Sequence, residues 1–349
     1  MLSLTFADLH YRVRQFLIAV VGAGLVLAMG LLLAGLAGGF SAELSATVTG
    51  AGADRWVLSD NAGGRIAAMA VFPESDVGVL AHTSGVTKAA PLVLVPQQVA
   101  RVNGHPVTVV LAGVAPGELG SPGPSAGQPL SDNGQVVVDS AVGAPVGSHL
   151  DVGHRSFEVV GQANGRTLFG GIPLVYLTVS DAQALVLGGR PLVTAALLKG
   201  QPAHVPTGLT AYGNSAVEQH SLQSMASAVS SINNSKLLMW GVAAIIIAAL
   251  LYVSALQRVR DFAVLKALGA SSATLFGSLA AQAVVVTLAA AAFGLVISNF
   301  MAGLFAQPIS IPASAYAYLP LVAVVVGLLS SLVALRRVTG ADPAAAFGG

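Results

Sequence analysis

Residues Gln257 to Ser272 (QRVRDFAVLKALGASS) set Arg258, Arg260, Asp261 and Lys266 among Phe262, Val264, Leu265 and Leu268. Written on a helix, Phe262, Leu265 and Leu268/Gly269 fall on one side, with Arg258, Asp261 and Lys266 elsewhere. Gly269 is then a natural C-terminal stop. The chemistry of such a stripe is recognition rather than bond-making: the apolar edge buries in a groove of another protein while the charges fix register. A basic loop that only anchors topology is the rival reading, and it would not need the apolar stripe.

Residues for bond-making chemistry are sparse. A P-loop needs a Gly-Lys pair so that backbone amides cradle phosphate while Lys reaches it. Here Lys88, Lys199, Lys236 and Lys266 follow Thr, Leu, Ser and Leu, so the chain has no P-loop. It also has no H-E-x-x-H, and its G-x-S-x-G match, GPSAG at Gly123–Gly127, lies in the Gly- and Pro-rich loop Gly117–Gly127 rather than at a strand-to-helix elbow. His149 and His154, with Asp151 between them, are the nearest approach to a metal cluster, but their spacing fits a turn between strands better than a ligand set. Asp139 closes the run QVVVD and reads as a strand-end turn residue. There is no cysteine, hence no disulfide and no thiolate metal site. The expectation is a protein that is not an enzyme and holds no cofactor of its own.

The basic segment is positioned by apolar runs. The chain is 54% hydrophobic and 9% charged, against about 25% charged in a soluble protein, and its mean hydropathy is +0.77. Phe16–Gly39 and Leu237–Gln257 are uncharged, as is the whole of Ala267–Leu335. A bilayer-spanning helix takes roughly 20 apolar residues, and the last tract is too long for one. Gln307–Ser314 (QPISIPAS) divides it. The expected fold is a membrane α-helical protein with four transmembrane helices, at 16–39, 237–257, 274–305 and 316–335. A cleaved signal peptide at the N-terminus is disfavoured, because its apolar part exceeds the usual length.

Seven of the 16 Lys/Arg residues lie in three short segments: Arg12 and Arg14; Arg258, Arg260 and Lys266; Arg336 and Arg337. All three should be cytoplasmic, so both termini are. The region between the first two spans is then external. It carries 9 Lys/Arg against 12 Asp/Glu, a balance that argues against nucleic acid as partner. The spans hold no Asp, Glu, Lys, Arg or His, which argues against an ion-driven carrier. Gly22, Gly24, Gly30 and Ala34 would permit close packing of the first span.

Residues 1–15 suit an amphipathic helix at the inner interface, or else a tail. Residues 40–51 continue the first span with Phe40, Leu44 and Val48 at steps of four. Residues 211–236 lead into the second with Leu222, Met225, Val229 and Ile232 at helical steps. Both read as a stalk and dimer element carrying the external domain; ordinary core helices would give the same pattern. Between them, 52–210 is a mainly-β α+β domain, with strands at 55–58, 88–95, 106–112, 135–139, 156–160, 174–179 and 194–198 and short helices at 73–83 and 180–187. Segments 258–273 and 306–315 are the cytoplasmic and short external loops, and 336–349 is a cytoplasmic tail.

RVRDFAVLKALGAS resembles the R-x-x-E-x-x-x-L-[RK]-x-[LIM]-G-A-[ST] signature of MacB/FtsX-type ABC transporter permeases, matching at Arg258, Leu265, Lys266, Leu268, Gly269, Ala270 and Ser271. It departs at Asp261, where Glu is usual. The ending RRVTGADPAAAF, with Asp342, Pro343 and Ala346, resembles the family's tail, and QVVVDSAVGAPVGSHLDV its periplasmic core domain. The resemblance implies a multi-pass subunit of a bacterial plasma membrane, paired with a second permease subunit as homo- or heterodimer. A separate cytoplasmic ABC ATPase binds ATP and seats Arg258–Gly269, including Arg260 and Phe262, as a coupling helix. ATPase strokes then move spans, stalk and external domain, by mechanotransmission, to extrude a hydrophobic or peptide-like cargo, with an extracytoplasmic adaptor as a further partner. The alternative is an FtsX-like regulator that transmits strokes to an external enzyme such as a cell-wall hydrolase.

Overall fold

The computed structural model describes residues 13–66, 68–257, 264, 271–304 and 309–339. Its helices are α1 Val13–Gly50, α2 Ser75–Ala81, α3 Val179–Val186, α4 Asn214–Ser224, α5 Ala226–Leu256, α6 Ser272–Ala302 and α7 Ala313–Thr339. The strands run β1 Arg55–Ser59, β2 Phe72–Pro73, β3 Val86–Val102, β4 His105–Val114, β5 Ala126–Gly127, β6 Gln135–Asp139 and β7 His149–Val152. They continue with β8 Arg155–Ala163, β9 Thr167–Leu168, β10 Ile172–Thr178, β11 Leu192–Val193, β12 Ala195–Gly200 and β13 Leu209–Gly213. The chain divides into two compact units, Gly39–Ser227 and the segments on either side of it.

In the inserted unit Gly39–Ser227, one sheet runs in the order β13-β1-β12-β3-β4-β10-β6-β8-β5. Strand β3 is long enough to pair twice. Its first part lies between β12 and β4, and its end (Ala100–Val102) pairs with Val152–Leu150 of β7, which also pairs with β8. Strands β3, β4, β10, β6, β8 and β7 therefore close a ring, which removes exposed sheet edges there. The bend that permits this is a bulge between Val95 and Gln98, where Gln97 takes φ 55°.

Alternation along the strands sends apolar side chains to both faces. Val109 and Leu111 of β4, with Val175 and Leu177 of β10, join a cluster that includes Val77 and Leu80 of α2 and Ala182 of α3. Val110 and Ala112, with Leu174 and Tyr176, join the opposite cluster, covered by Leu44 and Val48 of α1 and Val217 of α4. Burial on both faces is why these strands read as continuous apolar runs. Helix α3 starts at Thr178, whose hydroxyl accepts from Asp181 N at 3.2 Å.

Several expected boundaries move. Strand β3 runs past Pro96 to Val102, because the bulge accommodates a residue with no N–H to donate. His149 and Asp151 lie within β7, and the turn falls at Gly153–His154 before β8. Strand β13 was not expected; it pairs with β1 from Arg55↔Gly213 to Ser59↔Leu209. Residues 211–213 are thus sheet rather than helix, and the helical path then breaks at Met225 between α4 and α5.

Among the described residues, three helical segments are long and apolar enough to cross a membrane: Phe16–Gly50, Ala226–Leu250 and Ala280–Ala302. Ala313–Leu329 of α7 is a shorter apolar run, with Pro320 inside the helix. Glycines let the helices approach. A Cβ on Gly24 would stand 2.7 Å from Phe293 Cδ1 and 2.9 Å from the Ala290 carbonyl oxygen, and one on Gly294 would stand 2.8 Å from the Gly24 carbonyl oxygen. The Trp240 ring lies over Gly30, and Thr287 and Ala283 lie over Gly327. Buried Thr287, Ser298 and Ser331 bond to carbonyls of their own helix. Leu238, Ile245, Val296, Phe300 and Leu321 are largely exposed, as lipid-facing side chains would be.

This packing predicts opposite outcomes for two glycines separated by a single residue. Gly24→Ala should cost about 1–3 kcal/mol, because backbone at Ala290 must give way. Gly22→Ala, whose Cβ would meet only Ile246 at 4.0 Å, should be neutral or stabilise by up to about 1 kcal/mol through helix propensity. Thermal unfolding of the solubilised chain measures both; equal shifts would contradict the close α1–α6 contact.

Candidate functional site

Helices α5 and α6 end and begin on either side of the basic segment, at Leu256 and Ser272. Arg258, Arg260, Asp261, Phe262, Leu265, Lys266, Leu268 and Gly269 lie outside the described residues, as do the tail residues Asp342, Pro343 and Ala346. Val264, within the segment, is helical and 47% exposed.

The six stalk residues have different surroundings. Leu44 and Val48 are buried in the core of the inserted unit beside Trp56 and Leu58, and Leu222 packs against the same cluster. Their setting is therefore that of core helices, the alternative the pattern allowed. Met225, Val229 and Ile232 are half-buried. Met225 is the residue between α4 and α5, while Val229 and Ile232 lie on α5.

Polar groups bind the end of α1 into the inserted unit. Glu43 is 7% exposed. Its Oε1 accepts from Thr167 Oγ1 and its Oε2 from Gly170 N, each at 2.8 Å. The loop it grips is unusual: Phe169, Gly170 and Gly171 all have positive φ, at 56°, 83° and 93°. Such backbone is strained for an aromatic residue, and a Cβ on Gly170 would stand 2.8 Å from Phe40 Cε1. Asp139 holds the loop's start, accepting from Arg166 N at 2.6 Å and from Ala141 N at 2.8 Å. Asp139 thus acts as a strand-end anchor, as its position suggests. The return connection is lighter: Ile66 N donates to Ser221 Oγ at 3.2 Å, and Asn214 Nδ2 to the Ala53 carbonyl at 3.1 Å.

Neither Glu43 nor Arg166 stood out in the sequence. The available signal for Glu43 was its isolation, as the first charged residue after Arg14. Among the described residues no three His, Cys, Asp or Glu side chains gather as a metal site, and Asp151 instead accepts from Ser156 Oγ at 2.6 Å.

A set of apolar helices with a large β-rich domain between the first and second defines a membrane protein bearing an inserted domain. Residues 236–343 match the family described as FtsX-like permease C-terminal. Over the full length of both chains, 349 residues, the sequence is 37% identical to uncharacterized ABC transporter permeases of Mycobacterium bovis and Mycobacterium tuberculosis, and 35% identical to a second one from Mycobacterium tuberculosis. The chain belongs to the family of these ABC transporter permeases, with an FtsX-like permease C-terminal segment. Among solved structures, the periplasmic region of MacB from Actinobacillus actinomycetemcomitans aligns at 15% identity over 48% of this chain and 93% of its own, with TM-score 0.36. The extracellular domain of the YknZ transporter from Gram-positive bacteria aligns at 16% identity over 42% and 83%, with TM-score 0.33.

Removing the Glu43 carboxylate leaves two donors without their acceptor in a buried place. Glu43→Ala should destabilise the inserted unit by about 2–3 kcal/mol, with Glu43→Gln intermediate. Hydrogen exchange at Gly170 N should rise with it. Unchanged exchange there would show that the carboxylate does not hold the loop.

Proposed function

We propose that this permease couples ATP hydrolysis by a separate cytoplasmic ABC ATPase to movement of its helices and inserted unit. In this reading four helices span the plasma membrane of a bacterium, α7 being the fourth, with both termini cytoplasmic and Gly39–Ser227 outside. The subunit pairs with a second permease subunit, binds ATP only through its partner, and extrudes a hydrophobic or peptide-like cargo handled at the outer face.

The observation that carries the proposal is the relation to ABC transporter permeases along all 349 residues. The family match from 236 to 343 includes the segment Arg258–Gly269. The positive-inside distribution places that segment where an ATPase could reach it. On the structural side, α1 is a single helix of 38 residues, about 57 Å long at 1.5 Å per residue. Its last turns are built into the inserted unit. A displacement of that helix end is therefore a displacement of the unit.

Leu265→Asp puts a charge on the apolar edge proposed to dock. It should abolish copurification with the cognate ATPase while membrane insertion is unchanged; retained binding by this variant would overturn the coupling role. Transport itself is read from cargo-stimulated ATPase activity of the reconstituted complex.

A further inference from the structure

Helix α1 runs unbroken from Val13 to Gly50, yet it carries Gly35, Gly38 and Gly39 close together. Glycine is the weakest helix former after proline, and helices bend most readily where such residues gather. The weak turn also has a particular place in the chain. Gly38 is the last α1 residue of one compact unit, and Gly39 is the first residue of the inserted unit. Leu44 and Val48, a little further along, belong to the inserted unit's core.

The connection between α6 and α7 lies against this turn. Its residues 309–312 occupy the places that α1 side chains would fill. A Cβ on Gly35 would overlap Ile309 and stand 2.8 Å from Ile311 Cγ1. One on Gly38 would overlap the Ser310 carbonyl oxygen and stand 3.1 Å from Pro312 Cδ. The missing Cβ at Gly38 is thus what admits Ser310, whose N–H donates to the Gly35 carbonyl at 3.1 Å. The segment is itself stiff and tied down. Pro312 restricts Ile311 to extended backbone, and its carbonyl accepts from Ala315 N at 2.8 Å as α7 opens. Ile311 packs against the cluster that joins Leu27 and Leu31 of α1 to Leu319 of α7.

We propose that residues 309–312 form a strap over a glycine joint in α1. Seated, the strap holds the turn at 35–39 helical, and α1 passes a displacement on. Lifted, it frees the joint to bend. The strap runs directly into α7 and follows α6 in the chain, so movement of those helices is what lifts it. The joint itself needs no ATPase. Its consequence for transport rests on the coupling reading above, in which strokes enter beside α6.

Hydrogen exchange in the full chain, held in phosphatidylcholine nanodiscs, tests the strap without any ATPase. Ile309→Gly/Ser310→Pro/Ile311→Gly removes both wedges and the donor, since proline has no N–H. Exchange at Gly39 N, which a continuous helix bonds to the Gly35 carbonyl, should rise about tenfold or more as the turn opens. Adding Gly35→Ala/Gly38→Ala to that variant should bring exchange back to within about twofold of the parent. Alanine strengthens the helix where nothing now lies over it. The same alanine pair beside an intact strap should do the reverse. It should speed exchange at Ser310 N about tenfold while Gly39 N stays slow. Unchanged Gly39 exchange in the strap variant overturns the proposal, as does failure of the alanine pair to restore it. With the cognate ATPase, the strap variant should copurify as the parent does but show about fivefold less cargo-stimulated hydrolysis. Full stimulation overturns the strap's role in transport. Failure of the parent itself to copurify would overturn the coupling reading instead, and the exchange result would still decide the strap.

Discussion

The structure of the inserted unit depends on burial of the end of α1. Its central strands are apolar on both faces, so two covers are required. One comes from within the unit, as α2 and α3. The other comes from Leu44 and Val48 of α1 and Val217 of α4, helices at the two ends of the unit. Stripping Leu44 and Val48 from the sheet would return fully buried side chains to water, each worth about 1.5–3 kcal/mol in place. The last turns of α1 are part of the domain's core.

The two units hold their helices by different physics. Around α1 in the inserted unit the hydrophobic effect acts, and Glu43 adds a directional grip in a place where a carboxylate survives only if its lone pairs are bonded. In the other unit lipid is as apolar as leucine, so burial alone gives helices little reason to associate. Contact must come from close approach, and Gly24, Gly30, Gly294 and Gly327 provide it. Ala-rich helices whose apolar spans carry no Asp, Glu, Lys or Arg suit that strategy.

Much of this was legible because two-sided burial writes itself as short runs of Val, Leu and Ala between turn residues; runs such as LVLV and QVVVD lie within strands β3 and β6. What escaped has local causes. Pro96 looks like the end of a strand, but a bulge with a left-handed Gln97 carries β3 onward to its second partner. The edge strand LTAYG is too short and mixed to announce itself. The step-of-four pattern at Leu44 and Val48 specifies a buried helical face but says nothing of what buries it. The docking stripe of Phe262, Leu265 and Leu268 was read from residue types alone.

The two connections into the inserted unit differ in a way that matters under the proposed reading. Helix α1 is uninterrupted from Val13 to Gly50 and ends in the core, gripped by Glu43. The return path breaks at Met225, where backbone hydrogen bonding closes α4 before α5 begins. An unbroken helix passes on a displacement along its axis, whereas a break between two helices takes up a change of angle. A stroke arriving at the basic segment enters through α5 and α6, not α1. It therefore reaches α1 through the contacts that α5 and α6 make with it, Trp240 over Gly30 and the α6 contacts at Gly24 and Gly294. Those contacts are where coupling to α1 would be set.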